Sequence, residues 1–177
     1  QVAGTMTRLA NVSIHVVPPS TVVAVGETFT VPIQIQTGEQ PVDGAAAHLD
    51  FDPEYLRVID KDGEETEAIN GGDALPDELQ NVVDNSAGTI DYAAGALTTE
   101  PPLGRFDLGC IQLRAITATE ATDLTFVFTR TRKTDVAFGG VSVLAEHSDG
   151  EISIIAQERI YLPLIMRYRR WSLGAEG

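Results

Sequence analysis

Residues 27–37 constrain the fold more than any other stretch. Phe29, Val31, Ile33 and Ile35 alternate there with Thr28, Thr30, Gln34 and Gln36. A period of two sends alternate side chains to opposite faces, so the stretch is a strand with one buried and one wet face. Pro32 falls on the wet side and has no N–H to give to a ladder, which predicts an edge position or a local break in pairing. The same period recurs. A strand is expected over 12–17, ended by Pro18 and Pro19, with Val25-Gly26-Glu27 turning into the next. Over 45–51, Ala45, Ala47, Leu49 and Phe51 alternate with Ala46, His48 and Asp50. Shorter strands are expected over 56–59, 80–84 and 89–93, the last two joined by the turn Asn85-Ser86-Ala87-Gly88. Residues 108–115 set Ile111 and Leu113 against Gln112 and Arg114, and 124–129 alternates cleanly. Strands over 141–145 and 152–156 flank a turn at Asp149-Gly150. Long helical periodicity is absent. Many short strands with turn signals between them indicate an all-β fold, an antiparallel sandwich or jelly roll. Shared parity predicts a core of Phe29, Val31, Ile33, Ile35, Leu49, Phe51, Ile90, Tyr92, Ile111, Leu113, Phe126 and Ile154.

A chain of 177 residues is about one domain, large enough to bury roughly 70% of its unfolded surface without a disulfide or metal. Acids outnumber bases 26 to 12, for a net charge of −14. That argues against nucleic acid as a partner, since a phosphate backbone needs a basic stripe, and against adsorption of the body to anionic lipid. No run of 18 apolar residues predicts a membrane span. Cys110 is the single cysteine, so no internal disulfide can form. His15, His48 and His147 lack the spacing of a helical metal pair. The start, Gln1-Val2-Ala3-Gly4-Thr5, carries no charged-then-apolar leader and is compatible with a start left by signal removal.

Three local features ask for a reading of their own. After Phe51, Asp52-Pro53 is a cap followed by a residue with helical φ, so one helical or 3₁₀ turn is expected before Leu56 re-enters the core. Residues 60–80 hold eight acids (Asp60, Asp62, Glu64, Glu65, Glu67, Asp73, Asp77, Glu78) and one base, Lys61; they read as a solvated loop, with a helical turn at 76–79. Asp60, Asp62 and Glu64 superficially resemble a calcium loop, but Gly63 comes too early for the EF-hand pattern, so no cofactor is expected and calcium is the one candidate. The last segment, 158–177, is apolar over 160–166 and then basic at Arg167, Arg169 and Arg170.

The order and spacing of these pieces resembles a cohesin module. The matching stretches are Val25-Gly26-Glu27-Thr28-Phe29-Thr30-Val31-Pro32-Ile33, Leu49-Asp50-Phe51-Asp52-Pro53-Glu54-Tyr55-Leu56-Arg57-Val58, Val83-Asp84-Asn85-Ser86-Ala87-Gly88-Thr89-Ile90, Leu108-Gly109-Cys110-Ile111-Gln112-Leu113, Leu124-Thr125-Phe126 and Asp149-Gly150-Glu151-Ile152-Ser153-Ile154. The resemblance covers about residues 10–156. It implies a nine-stranded jelly-roll β-sandwich over residues 1–157. It also implies a dockerin-like partner docked on the outer face of a sheet made here from 124–129, 45–51, 89–93 and 80–84. The outward residues of that sheet, and so the candidate partner site, are Ala46, His48, Asp50, Asp91, Ala93, Thr125, Val127 and Thr129. An extracellular or cell-surface, non-catalytic role in polysaccharide-degrading assemblies follows by the same resemblance.

Against this stand blander and sharper readings. His48, Asp50 and Asp52 share a parity and could form an acid–base pair, but catalysis also needs a nucleophile or second poised group in a pocket, which a flat sheet face does not offer. Cys110 lies beside Gln112 and Arg114 with nothing to activate it, and reads as a passive thiol partly covered by loops. Asn11-Val12-Ser13 is a glycosylation sequon. Trp171, Tyr161 and Tyr168 could stack a sugar ring, which makes a carbohydrate-binding module the alternative function, a structural cell-surface module being the other. The tail is expected to dock on its own sandwich or on a neighbouring copy, allowing self-association; burying each Leu or Ile is worth roughly 1.5–3 kcal/mol.

Overall fold

A computed structural model describes residues 11–157. The expectations for the 158–177 tail, with Tyr161, Tyr168 and Trp171, lie outside the described residues. The described residues form fourteen strands: β1 Val12–Val16, β2 Ser20–Ala24, β3 Thr28–Gly38, β4 Gly44–Phe51, β5 Leu56–Val58, β6 Asn70–Gly71, β7 Asp77–Asp84, β8 Thr89–Gly95, β9 Gly104–Ala115, β10 Thr119–Phe126, β11 Asp135–Phe138, β12 Val141–Ser142, β13 Leu144–Ser148 and β14 Gly150–Ile155. The count exceeds nine, and three of the pieces, β5, β6 and β12, are only two or three residues long. Two sheets pack face to face as a jelly-roll sandwich. One has the order β13-β1-β3-β9-β5, with β6 also on β9; the other runs β12-β11-β4-β10-β14-β2, with β8 on β4 and β7 on β8.

Parity along the strands fills the core as expected. Val31, Ile33, Ile35, Leu49, Phe51, Ile90, Tyr92, Ile111, Leu113, Phe126 and Ile154 are buried, and Phe29 is only half-buried at the start of β3, packed against the cluster. Pro32 is not at an edge, because β3 lies between β1 and β9. Its carbonyl accepts the Val17 N–H at 3.0 Å. In an antiparallel strand a residue's N–H and C=O face the same neighbour. The missing N–H therefore falls where β1 stops.

The sandwich is not wholly antiparallel. β1 pairs with β13 and β2 with β14, both in parallel. Pro18-Pro19 and Asp149-Gly150 are therefore corners, where two neighbouring segments leave one sheet and enter the other together. The Glu151 N–H donates to the Pro19 carbonyl at 3.0 Å to tie the corners. A Cβ on Gly150 would collide with Val16 Cγ1, which explains the glycine. Residues 141–145 are accordingly divided between β12 and β13 rather than forming one strand before a hairpin.

The acidic segment differs from a solvated loop. Ile69 and Leu75 are buried in the core, and β6 pairs with β9. The expected turn at 76–79 is instead the start of β7. The Asn81 amide accepts the Ile69 N–H at 2.8 Å and donates to the Ile69 carbonyl at 2.9 Å, so a side chain stands in for a strand there. The turn after Phe51 forms as expected: Tyr55 and Leu56 N–H donate to the Asp52 carbonyl, and the Glu54 N–H donates to Asp52 Oδ1 at 2.8 Å. The turn between β7 and β8 needs Gly88, which has φ +70° and would drive a Cβ into the Phe51 carbonyl.

Candidate partner-binding site

The register of β7, β8 and β4 sets outward residues in rows. Ala46 lies opposite Ala93 and Ala93 opposite Gln80; His48 lies opposite Asp91 and Asp91 opposite Val82; Asp50 lies opposite Thr89 and Thr89 opposite Asp84. On the other side of β4, Thr125 of β10 stands opposite Asp50 and Asp135 of β11 opposite Ala46. The structure thus brings six of the eight candidate residues, Ala46, His48, Asp50, Asp91, Ala93 and Thr125, onto neighbouring rows.

The remaining two sit differently. β10 ends at Phe126, so the expected strand over 124–129 stops short. Residues 127–134 form a hairpin, closed by a bridge between Phe128 and Lys133 and by the Thr129 N–H donating to the Arg132 carbonyl at 2.9 Å. Val127 stays beside the sheet, its N–H donating to the His48 carbonyl at 2.8 Å. Thr129 is exposed in the hairpin turn and not on the sheet. Along this edge of β4, β10 covers Leu49–Phe51 and β11 covers Gly44–Ala46. Between them the fully buried Thr134 hydroxyl accepts the His48 N–H and donates to the His48 carbonyl, both at 3.0 Å. One hydroxyl thus satisfies the His48 N–H, which would otherwise face a gap in the ladder, and shares the His48 carbonyl with the Val127 N–H.

The hairpin also delivers Arg132, which the sequence reading missed. Its guanidinium reaches back over β4 and β8. Nε donates to Asp91 Oδ1 at 2.8 Å, Nη1 to Asp50 Oδ1 at 2.5 Å, and Nη2 to the carbonyls of Leu49 at 3.0 Å and Ile90 at 3.4 Å. His48 Nδ1 lies 2.7 Å from the same Asp91 oxygen. Burial opposes the charge on Asp91, but the hydrogen bonds from His48 and Arg132 and the Arg132 charge outweigh it and hold the carboxyl below its ordinary value. Burial likewise opposes the Arg132 charge, and the two carboxylates outweigh it and push that group up. The acid–base pairing read along β4 is therefore a cross-strand one: His48 pairs with Asp91, while Asp52 caps its own turn. The run Arg130, Arg132, Lys133 was the available signal, a basic knot just past a strand whose neighbours present outward acids.

Other candidates fall elsewhere. Asp60 Oδ1 accepts the Asp62 and Glu64 N–H groups, the latter lowering its carboxyl most. Among the described residues no group of three or more His, Cys, Asp or Glu is placed to hold a metal ion. Cys110 is half-buried beside β6, and burial, with Asp107 nearby, pushes its thiol up. No helix among the described residues is long and apolar enough to cross a membrane.

The architecture places the chain among the jelly-roll β-sandwiches. More narrowly, residues 14–154 match the family described as Cohesin domain, and the chain belongs to that family. Solved structures agree at the level of fold. The third cohesin of ScaC from Acetivibrio cellulolyticus, solved in complex with the ScaB dockerin, superposes with a TM-score of 0.66 at 17% identity, over 82% of this chain and 99% of that one. A type II cohesin domain from the cellulosome of the same organism gives 0.66 at 16% identity, over 80% and 95%. A non-cellulosomal cohesin from the archaeon Archaeoglobus fulgidus gives 0.62 at 20% identity, over 84% and 94%. No curated protein sequence matches significantly.

Proposed function

We propose that this chain is a non-catalytic, extracellular or cell-surface recognition module that binds a dockerin-like protein module. The proposed site is the outer face of β10, β4, β8 and β7. Ala46, His48, Asp50, Asp91, Ala93, Thr125 and Val127 would form it, with Arg132 at its centre and Thr129 on its rim. The observation that carries this is the pairing on that face. Ala46 and Ala93 stand side by side, leaving room for a helix to approach closely, while Arg132 already pairs with both Asp50 and Asp91 in the next rows. Charges paired in advance cost less to cover than bare carboxylates. The ScaC cohesin of similar fold was solved with a dockerin bound.

Catalysis finds little support on this face. His48 spends Nδ1 on Asp91, and among the described residues no hydroxyl or thiol is hydrogen-bonded to its ring, so the nucleophile of an acyl-transfer site is missing. A place in polysaccharide-degrading assemblies is the more separable part of the proposal, since a non-cellulosomal cohesin also shares the fold.

Affinity capture from the secretome of the source organism tests the reading, with the native chain and Ala46→Arg run in parallel and the captured protein sequenced. We expect a protein with a dockerin-like repeat, retained by the native chain and lost from the variant. Retention on insoluble polysaccharide with no protein captured would overturn it in favour of carbohydrate binding.

A further inference from the structure

Beyond β10, the outer face of the same sheet changes character. Ser153 lies opposite Val22 and Ile155 opposite Ala24. Their neighbours Ile152, Ile154 and Val23 are buried, so this alternate set points outward. Val22 is 66% exposed and Ile155 56%. Beside them Ala118, Thr119 and Glu120 join Ser153, Ile154 and Ile155 around an open groove of about 490 Å³. Exposed aliphatics next to an edge of β2 that no described strand pairs are a liability that proteins usually cover.

The described chain ends at Gln157, two positions past Ile155, at one end of this groove. The sequence then runs Glu158, Arg159, the apolar stretch 160–166, and the bases Arg167, Arg169 and Arg170. We propose that residues 160–166 of the chain's own C-terminal segment occupy the groove, running back antiparallel to β14. Length and charge agree with that direction. Two linking residues reach about 7 Å, enough to reverse beside Ile155. Seven extended residues then cover roughly 23 Å, slightly more than the six residues of β14. The arginines would arrive at the far end of β14, where the exposed Glu151 and Asp123 face each other across the ladder. Apolar chain meets apolar groove, and bases meet acids. This inference is independent of the proposed partner face.

Trypsin digestion of the full chain, followed by mass spectrometry, tests it at the Arg159–Ile160 bond. The variants are Ile155→Asp in the groove and Leu162→Asp in the segment, with circular dichroism confirming that both retain the sandwich. Because Leu162 follows the last described strand in sequence, its variant keeps the test valid even if the groove variant folds poorly. We expect cleavage at Arg159 to be slow in the native chain and at least tenfold faster in each variant. Equal rates in all three chains would overturn the proposal. So would protection that disappears on dilution together with a dimer in size-exclusion chromatography, which would give the groove to a second copy.

Discussion

Strands β9 and β4 each divide one edge between two other strands, and the chain inserted between those strands does different work in the two places. On β9 the edge is divided between β5 and β6. The intervening residues turn inward: Ile69 is buried, as is Leu75 just beyond β6, and the side-chain amides of Asn81 and Asn85 bond the loop backbone at Ile69 and Thr66, Asn85 also holding Val58 at the end of β5. On β4 the edge is divided between β10 and β11. There Thr134 repairs the gap and Arg132 turns outward onto two carboxylates. The same backbone solution serves the core in one sheet and writes the surface chemistry in the other. Substitutions in the first insertion should therefore act on stability, and substitutions around the second should act on the face.

The largest stability effect is expected at the β9 insertion. Ile69→Ala should cost about 2–5 kcal/mol, the range for truncating a buried aliphatic, measured by chemical denaturation. A cost under about 0.5 kcal/mol, the range of plain surface changes, would mean that the insertion is not part of the core. Thr134→Val comes next. It removes the hydroxyl that accepts the His48 N–H, and an unsatisfied buried group costs about 1–3 kcal/mol. Thr134→Ser should recover most of that loss, which a pure packing role would not allow.

Arg132→Gln should cost less, about 1 kcal/mol at neutral pH, because the cluster is partly open to solvent. Its pH dependence is the sharper readout. The folded Asp91 carboxyl titrates below its ordinary value, so its stabilisation is present above about pH 4 and is lost as the pH falls through the lower folded value. In Arg132→Gln the folded value moves back up. The gap in stability between native chain and variant should therefore be widest near neutrality and close in acid. A gap that stays constant below pH 3 would mean that Arg132 contributes packing rather than charge. The smallest change is expected for Val127→Arg: a melting temperature within a few degrees of the native chain, since the position lies on the surface.

The contrast between the two insertions also explains what the sequence could tell. Period-two patterns place residues on inner or outer faces, so the buried set of β3, β4, β8 and β9 and the outward parity of Ala46, His48, Asp50, Asp91 and Ala93 were legible. Local chemistry was legible too, as in the Asp52-Pro53 turn. Long-range pairing was not. Nothing in the spacing says that Pro18-Pro19 and Asp149-Gly150 are neighbouring corners, because each reads as an ordinary turn alone. Ile69 and Leu75 were hidden by the acids around them: two apolar residues in a charged run carry no period. Arg132 was hidden because alternation continues through Val127 and Thr129 after the ladder has ended, so the strand seemed longer than it is and its hairpin went unseen.

The central claim is that the β10–β4–β8–β7 face, and not another surface, recognises a protein partner. Calorimetric titration of the captured partner into the native chain and into Ala93→Arg tests it most directly, at a pH where both are folded. An arginine at Ala93 would be forced against a docked helix without a prepared counter-charge, and an unpaired buried charge at the centre of an interface costs several kcal/mol. We predict that affinity falls at least a hundredfold while the melting temperature stays within a few degrees. Unchanged affinity with unchanged stability would contradict the account and move the interface to another part of the sandwich.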